Sequence, residues 1–406
     1  MRSQPAPDGP ILILEPDSEG HTQEWLRHLI DFAGGERLSI EIAAPQALCA
    51  ALAPDVPADA RERIRLSPLS ADEQRWCTHR RLAVSGFARW ATMRRRLRQS
   101  GGRAGFFLSI DHLSLPLAFG LGVGGGRVSG ILFRPSVHYG ALGAYRPTLA
   151  ERLRDARKAL LYRLMLRNKA LHSVLSLDPY FAHYATSHYV RGEKVLAIPD
   201  PAHAASDVAA AGDRFVDYVP PGRIGLLMFG YLARRKGPLE LLEALRRLRP
   251  ETARRVAVLL AGRVAPEIRS ELDAQCDVLT RMQPTLWLQL EDRRLDSAEI
   301  DSLIDRSDVV LAPYQRFVGS SGVLLWAARA GRPVLTQDFG LLGRLTRDHR
   351  LGLATDVGDP DCLASAIERI ATEGTQALFD PLEARRFVAS RTPRAFAAMV
   401  LGHAST

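Results

Sequence analysis

The stretch "GLLMFGYLARRKGPLELLEAL", residues 225–245, places Gly230 and Lys236 six positions apart, with Arg234 and Arg235 just ahead of the lysine. A strand-like apolar run ends at the glycine, and Lys236-Gly237 opens an amphipathic helical pattern. Such a junction suits phosphate, because a helix start offers unpaired amides and a partial positive charge to which the basic side chains add. A second stretch, "FVGSSGVLLWAARAGRPVL" at 317–335, has no acid, histidine or cysteine. It does set Gly319, Ser320, Ser321 and Gly322 at the start of a helix, where amides and hydroxyls can hold an anion. The same residues also make a good helix cap, and both readings stand.

The first half offers polar residues at strand ends. "EPDSEGHTQEW" connects the first strand to the first helix and carries Gly20 and His21, and "SIDHLSLP" places Asp111 and His112 after another strand. In an open parallel sheet, ligands bind outside the carboxyl ends of the strands, so these are candidate contacts. A solvated loop histidine is the alternative for His21. The arginines gather in two stretches, "ARWATMRRRLRQSGGR" with Arg94, Arg95, Arg96 and Arg98, and "ERLRDARKALLYRLMLRNKA" at 151–170. Apolar residues interleave with them, the look of helices lying on an anionic membrane. Ordinary surface helices are the equal alternative.

The elements that carry these residues alternate. "ILILEP", "LSIEIAAP", "FFLSID", "VSGILF" and "SVLSLD" read as strands with helices between them, and after residue 205 the series "IGLLMFGY", "VAVLLAG", "LWLQL", "DVVLAPY" and "RPVLTQ" does the same. That alternation implies doubly wound parallel sheets, and two series imply two domains. We expect domains at 1–205 and 222–380, a linker at 206–221, and a last helix within 381–406 that packs back toward the first domain.

A net charge of +9 and a pI near 9.7 point to an acidic partner without choosing one. The cysteines Cys49, Cys77, Cys276 and Cys362 are scattered, with no zinc or disulfide framework, and no acidic pair has metal-ligand spacing. No apolar run is long enough to span a bilayer, and the start has no signal-peptide core. The expectation is a cytoplasmic protein, with peripheral contact to the inner membrane face as an option, no metal, and no nucleic acid, for which no motif is present.

The run from Gly230 to Lys236-Gly237, followed in order by "VAVLLAG", "DSAEIDSLIDRSDVVLAPY" and "AARAGRPVLTQDFG", resembles the donor half of the GT-B glycosyltransferases of family four, the group 1 glycosyl transferases. The resemblance covers roughly 220–370 and implies a GT-B fold, two facing Rossmann-like domains with a cleft between them. It also implies transfer of a sugar from a nucleoside diphosphate sugar, the co-substrate, to a hydroxyl of a glycan, lipid or small molecule, with a retaining outcome. Lys236 inherits contact with the donor diphosphate, with Gly230, Arg235 and the 319–322 segment beside it, although Tyr231 stands where the family has arginine. After "GILFRPSVHYG" the family carries a histidine that touches the donor sugar, a role for His138 or Arg134. Gly20, His21, Asp111 and His112 fall on the acceptor or sugar side. The family's two glutamates align with Val318 and Trp326, so both are absent here. That loss keeps open a non-catalytic GT-B relative that binds a nucleotide or glycan, and an epimerase or phosphorylase on the same fold.

Overall fold

The structure is a computed structural model that describes residues 9–18, 22–133, 135–202 and 218–405. Among these, one compact unit takes the residues up to His138, Pro147–Pro201 and those from Arg391 on, and a second takes Tyr139–Arg146 and the residues from Ala202 to Ser390. Residues 139–146, placed in the first domain by sequence, thus belong to the second unit, and so do 381–390. Most of the 206–221 linker lies outside the described residues.

The first unit runs β1 (Ile11–Leu14), α1 (Thr22–Gly35), β2 (Ile40–Ala44), α2 (Gln46–Leu52), β3 (Ile64–Pro68), α3 (Ala71–Cys77), α4 (Leu82–Ser100), β4 (Ala104–Phe107), α5 (Ser114–Ala118), β5 (Arg127–Leu132), α6 (Leu149–Met165), β6 (Leu171–Ser176), α7 (Pro179–His188) and β7 (Val195–Ala197). Its seven strands form one parallel sheet in the order β3-β2-β1-β4-β5-β6-β7. Successive strand residues point to opposite faces, and both faces are apolar. Ile11 and Ile13 pack with Trp25, Leu29 and Phe106 beneath α1 and the chain's last helix, Pro393–Ser405. Leu12 and Leu14 pack with Trp90, Met93 and Phe107 beneath α4.

The second unit continues β8 (Ile224–Phe229), α8 (Pro238–Arg246), α9 (Pro250–Ala253), β9 (Val256–Ala261), α10 (Arg269–Met282), β10 (Trp287–Glu291), α11 (Ser297–Asp305), β11 (Val309–Ala312), α12 (Gly322–Arg329), β12 (Val334–Gln337), α13 (Gly340–Asp348), β13 (Gly352–Thr355), α14 (Pro360–Glu373) and α15 (Pro381–Ala389). Its parallel sheet has the order β10-β9-β8-β11-β12-β13. Leu226, Met228, Leu242, Leu260 and Ile367 lie in one core against its face. In each sheet the order reverses beside the unit's first strand, between β1 and β4 and between β8 and β11. The strand ends part at these points and leave a crevice for a ligand.

One of the two arginine-rich stretches has a structural role. On α4, Arg96 is buried and donates to both Glu73 oxygens and to the Ser67 and Pro68 carbonyls, while Arg95 adds a second bond to Glu73 Oε1 at 2.6 Å. Burial works against ionisation of Glu73, but bonds from Arg96, the Ser70 amide and Arg95 outweigh it and hold the carboxyl at about 2, below its ordinary 4.5. A depressed carboxyl stabilises the fold above its unfolded pKa and loses that contribution as pH falls through the folded one. Glu73→Gln should therefore cost about 1–3 kcal/mol at neutral pH, discounted for partial exposure. The gap to the parent should close between roughly pH 4.5 and 2 in denaturant titrations. A gap independent of pH would show that packing, not charge, joins α3 to α4.

Candidate functional site

β8 ends at Phe229, and Gly230 turns the chain at φ +98°, a conformation that side chains avoid. Its bare Cα has a second consequence. A Cβ there would lie 2.7 Å from Lys236 Nζ, so the glycine leaves the space into which the lysine folds back. Nζ donates to the Phe229 carbonyl at 3.1 Å and lies 5.5 Å above the Tyr314 ring. The six-residue spacing is thus the length of a loop that returns an ammonium to the end of the strand it left. Lys236 is buried, and among the described residues no carboxylate pairs with it. Burial, with the charge of Arg235 adding, pushes its pKa down to about 8.

The loop closes on its neighbour. At Gly237, φ +77°, a Cβ would strike the Pro313 carbonyl at 2.1 Å, and Gln315 N donates to Arg235 O at 2.8 Å. The segments after β8 and β11 are therefore joined at the point where the sheet order reverses. Arg234 turns outward to Glu271. Arg235 stays with the site, its guanidinium 5.6 Å over the Phe317 ring.

Ser321 caps α12: its hydroxyl accepts from Val323 N at 3.3 Å and meets Tyr314 OH at 3.1 Å. The cap leaves the backbone donors in place. The first amides of a helix have no partner within it, and those of Gly319, Ser320, Ser321 and Gly322 reach no acceptor among the described residues. Trp326 is core, buried with its ring edge-on to Phe229 at 6.3 Å. Val318 gives its carbonyl to Leu341 N at 2.8 Å.

Two cavities flank this centre within the second unit. One of about 300 Å³ lies beside Gly230, lined by Tyr231, Gly262, Arg263, Arg294 and Ile300. Gly262 forms its floor, since a Cβ there would meet the Gly230 carbonyl at 2.1 Å. The other, about 460 Å³, lies at Tyr145, Gln315, Arg316, Phe339 and Asp356. Arg316 adopts φ +49° and stacks 5.5 Å over Tyr145, whose ring is 5.4 Å from Phe339. Sequence reading missed these aromatics; only the Tyr314 and Phe317 positions, flanking a glycine-serine loop after a buried strand, offered a signal.

Of the first unit's candidates, Gly20, His21 and Arg134 lie outside the described residues. Asp111 accepts from Phe133 N at 3.0 Å, and His112 Nδ1 meets Ser85 Oγ at 3.0 Å. Burial, then the nearby Arg89 charge, lowers the His112 pKa. At the end of β1, Glu15 is fully enclosed. Burial raises it to about 8, against a bond from the Asp17 amide, and Asp17 in turn pairs with buried Arg89 at 2.9 Å. His138 is enclosed too, its Nε2 2.8 Å from Asp178, whose other oxygen caps α7. His138 thus braces the start of α7 through Asp178.

Residues 223–373 match the family described as glycosyl transferases group 1. Over that span the second unit is similar to the group 1 glycosyl transferases. The sequence matches no curated protein. In three dimensions the chain is similar to a glycosyltransferase from Rickettsia africae, with a TM-score of 0.68, 14% identity and 98% of each chain covered. It is also similar to WaaG, a glycosyltransferase involved in lipopolysaccharide biosynthesis, at TM-score 0.61, 14% identity, and 97% and 100% coverage. A third is Anabaena HepE in complex with UDP and glucose, at TM-score 0.56, 14% identity, and 98% and 97% coverage. The fold is GT-B.

In the region similar to that family, the glycine-lysine loop lies beside a helix start where Val318 and Trp326 are both apolar. What the geometry offers is a cationic, amide-lined centre whose lysine pairs with no carboxylate among the described residues. Lys236 is charged below pH 8 and neutral above it. Affinity for a nucleoside diphosphate should be flat below that pH and weaken about tenfold per unit above it, because binding must restore the proton. Lys236→Met should bind weakly at all pH with no break. A parent profile without a break near pH 8, followed by calorimetry, would separate the lysine from anion binding.

Proposed function

We propose that the chain is a glycosyltransferase that moves a sugar from a nucleoside diphosphate sugar to a hydroxyl acceptor. One observation carries this reading: among the described residues, the buried ammonium of Lys236 has no carboxylate beside it, and the Gly319–Gly322 amides of the joined loops reach no acceptor. A buried charge calls for a counter-ion, and a donor diphosphate supplies one.

In this mechanism the bond between the sugar's anomeric carbon and the diphosphate oxygen breaks, and its electron pair leaves with the diphosphate. The acceptor oxygen forms the new bond and its proton is lost. Charge builds on the leaving group, so Lys236, Arg235 and the α12 amides stabilise that change most if they lie along it. The cavity beside Gly230 has room for the nucleoside end. The UDP held by HepE makes uridine the first nucleoside to test. The acceptor, lipid-linked ones included, is assigned to the first unit, with Asp111 and His112 at its strand ends and Gly20 and His21 as further candidates, and the donor-sugar contact to His138 or Arg134. Retention of configuration rests on the family resemblance.

The missing carboxylates at Val318 and Trp326 favour a second reading, nucleotide binding without turnover. Release of diphosphate from a nucleotide sugar that depends on added acceptor separates the two.

Gly322→Pro is the sharpest structural test. Proline fits the first position of a helix, and Ser321 before it is extended at φ −140°, ψ 131°, so one amide is deleted with the helix kept. In calorimetry with UDP, GDP, ADP and their sugar conjugates, the best ligand should lose about 1–2 kcal/mol, and the free diphosphate should bind nearly as well as its sugar conjugate. Unchanged affinity in a folded Gly322→Pro variant would reduce the loop to a cap.

A further inference from the structure

We infer that α6 docks the chain on an anionic lipid bilayer through a face of leucines. The two arginine-rich helices of the first unit have opposite fates. On α4 the interleaved Trp90, Met93 and Leu97 are core, and Arg89, Arg95 and Arg96 are bound to carboxylates. On α6 only Tyr162 and Met165 are buried. Leu149, Leu153, Leu160 and Leu164 are 77%, 73%, 54% and 39% exposed.

At about 100° per residue these leucines fall within roughly 60° of one another around the helix. The packed side lies opposite them. It carries Tyr162 and Met165, together with Asp155 and Lys158, both bonded to Ser136 Oγ at 2.6 and 3.2 Å. The helix therefore holds its position from one side and presents leucine on the other. A capping box between Thr148 and Glu151 fixes its start, which packing leaves exposed.

The shoulders of the leucine face decide the occupant. Arg152 and Arg163 flank it on one side and Arg157 on the other, all exposed, and among the described residues none of the three pairs with a carboxylate. Leucines between arginine rows match a bilayer surface: the leucines reach the acyl boundary while the arginine stems extend to lipid phosphates. A nucleic acid would leave the leucines in water. Beside α6, α5 ends at Phe119, 69% exposed and stacked 6.1 Å from Phe87, which adds apolar surface. No helix among the described residues is long and apolar enough to cross a membrane, so this contact is made from outside.

The test is co-sedimentation of the full chain with vesicles of phosphatidylcholine alone or mixed with phosphatidylglycerol. It needs no turnover, so its result is independent of the proposed transfer reaction. The parent should bind the mixed vesicles, leave the neutral ones, and release as salt rises. The double variant Leu153→Gln, Leu160→Gln, with an unchanged thermal midpoint, should lose about tenfold or more in partition. Arg157→Gln with Arg163→Gln should also bind less and depend less on salt. The proposal is overturned by a parent that ignores mixed vesicles or binds both kinds equally, or by a leucine variant that partitions like the parent. Self-association that the leucine change abolishes, with no vesicle binding, would overturn it in favour of a second copy of the chain on this face.

Discussion

The second unit is organised around a positive charge that is buried and, among the described residues, meets no neutralising carboxylate. An ammonium out of water costs several kcal/mol unless something compensates. Lys236 receives one carbonyl, the face of Tyr314 and a pKa drawn down to about 8, and no carboxylate among the described residues. The surrounding backbone follows from that placement. Gly230 is bare so that Nζ can sit over the strand end, and Gly237 is bare so that the loop can lie against Pro313. Gly262 admits the Gly230 carbonyl. A side chain at Gly237 would strike the Pro313 carbonyl and one at Gly262 the Gly230 carbonyl, so either would shift the loop that carries the charge.

The first unit repeats the topology with the opposite electrostatics. At its own reversal of strand order, buried Arg89 is matched by Asp17, His112 by Ser85, and Glu15 is held toward its neutral form by burial. Charges there are satisfied internally. The same architecture thus yields a paired network in one unit and, among the described residues, a cation without a carboxylate in the other, and that cation is where an anion gains most. This difference, more than the fold, is why we propose the donor site in the second unit.

Much of this was legible in the sequence, for physical reasons that vary by element. Strands buried on both faces, such as "ILIL" and "VAVLLA", read directly as apolar runs, and Gly230 to Lys236 read as a unit because strand end, turn and helix start each leave a local mark. The short strands did not: β3 mixes polar and apolar residues at a sheet edge, β7 has three residues, and β13 is only half-buried. Partners distant in sequence were also invisible. Glu73 captures Arg95 and Arg96 across the α3–α4 contact, and Tyr145 meets Arg316 and Phe339 from far along the chain. The leucine spacing on α6 could be counted, but which side of the helix packs could not.

Proton uptake on binding tests the central claim most directly. Titration of the best-binding nucleoside diphosphate near pH 8, by calorimetry in two buffers of different ionisation heat, gives the number of protons taken up per ligand. A lysine half-neutral at that pH and fully charged in the complex predicts uptake of about half a proton by the parent and none by Lys236→Met. Tight binding without uptake in the parent would contradict an anion site built on a buried, unpaired lysine.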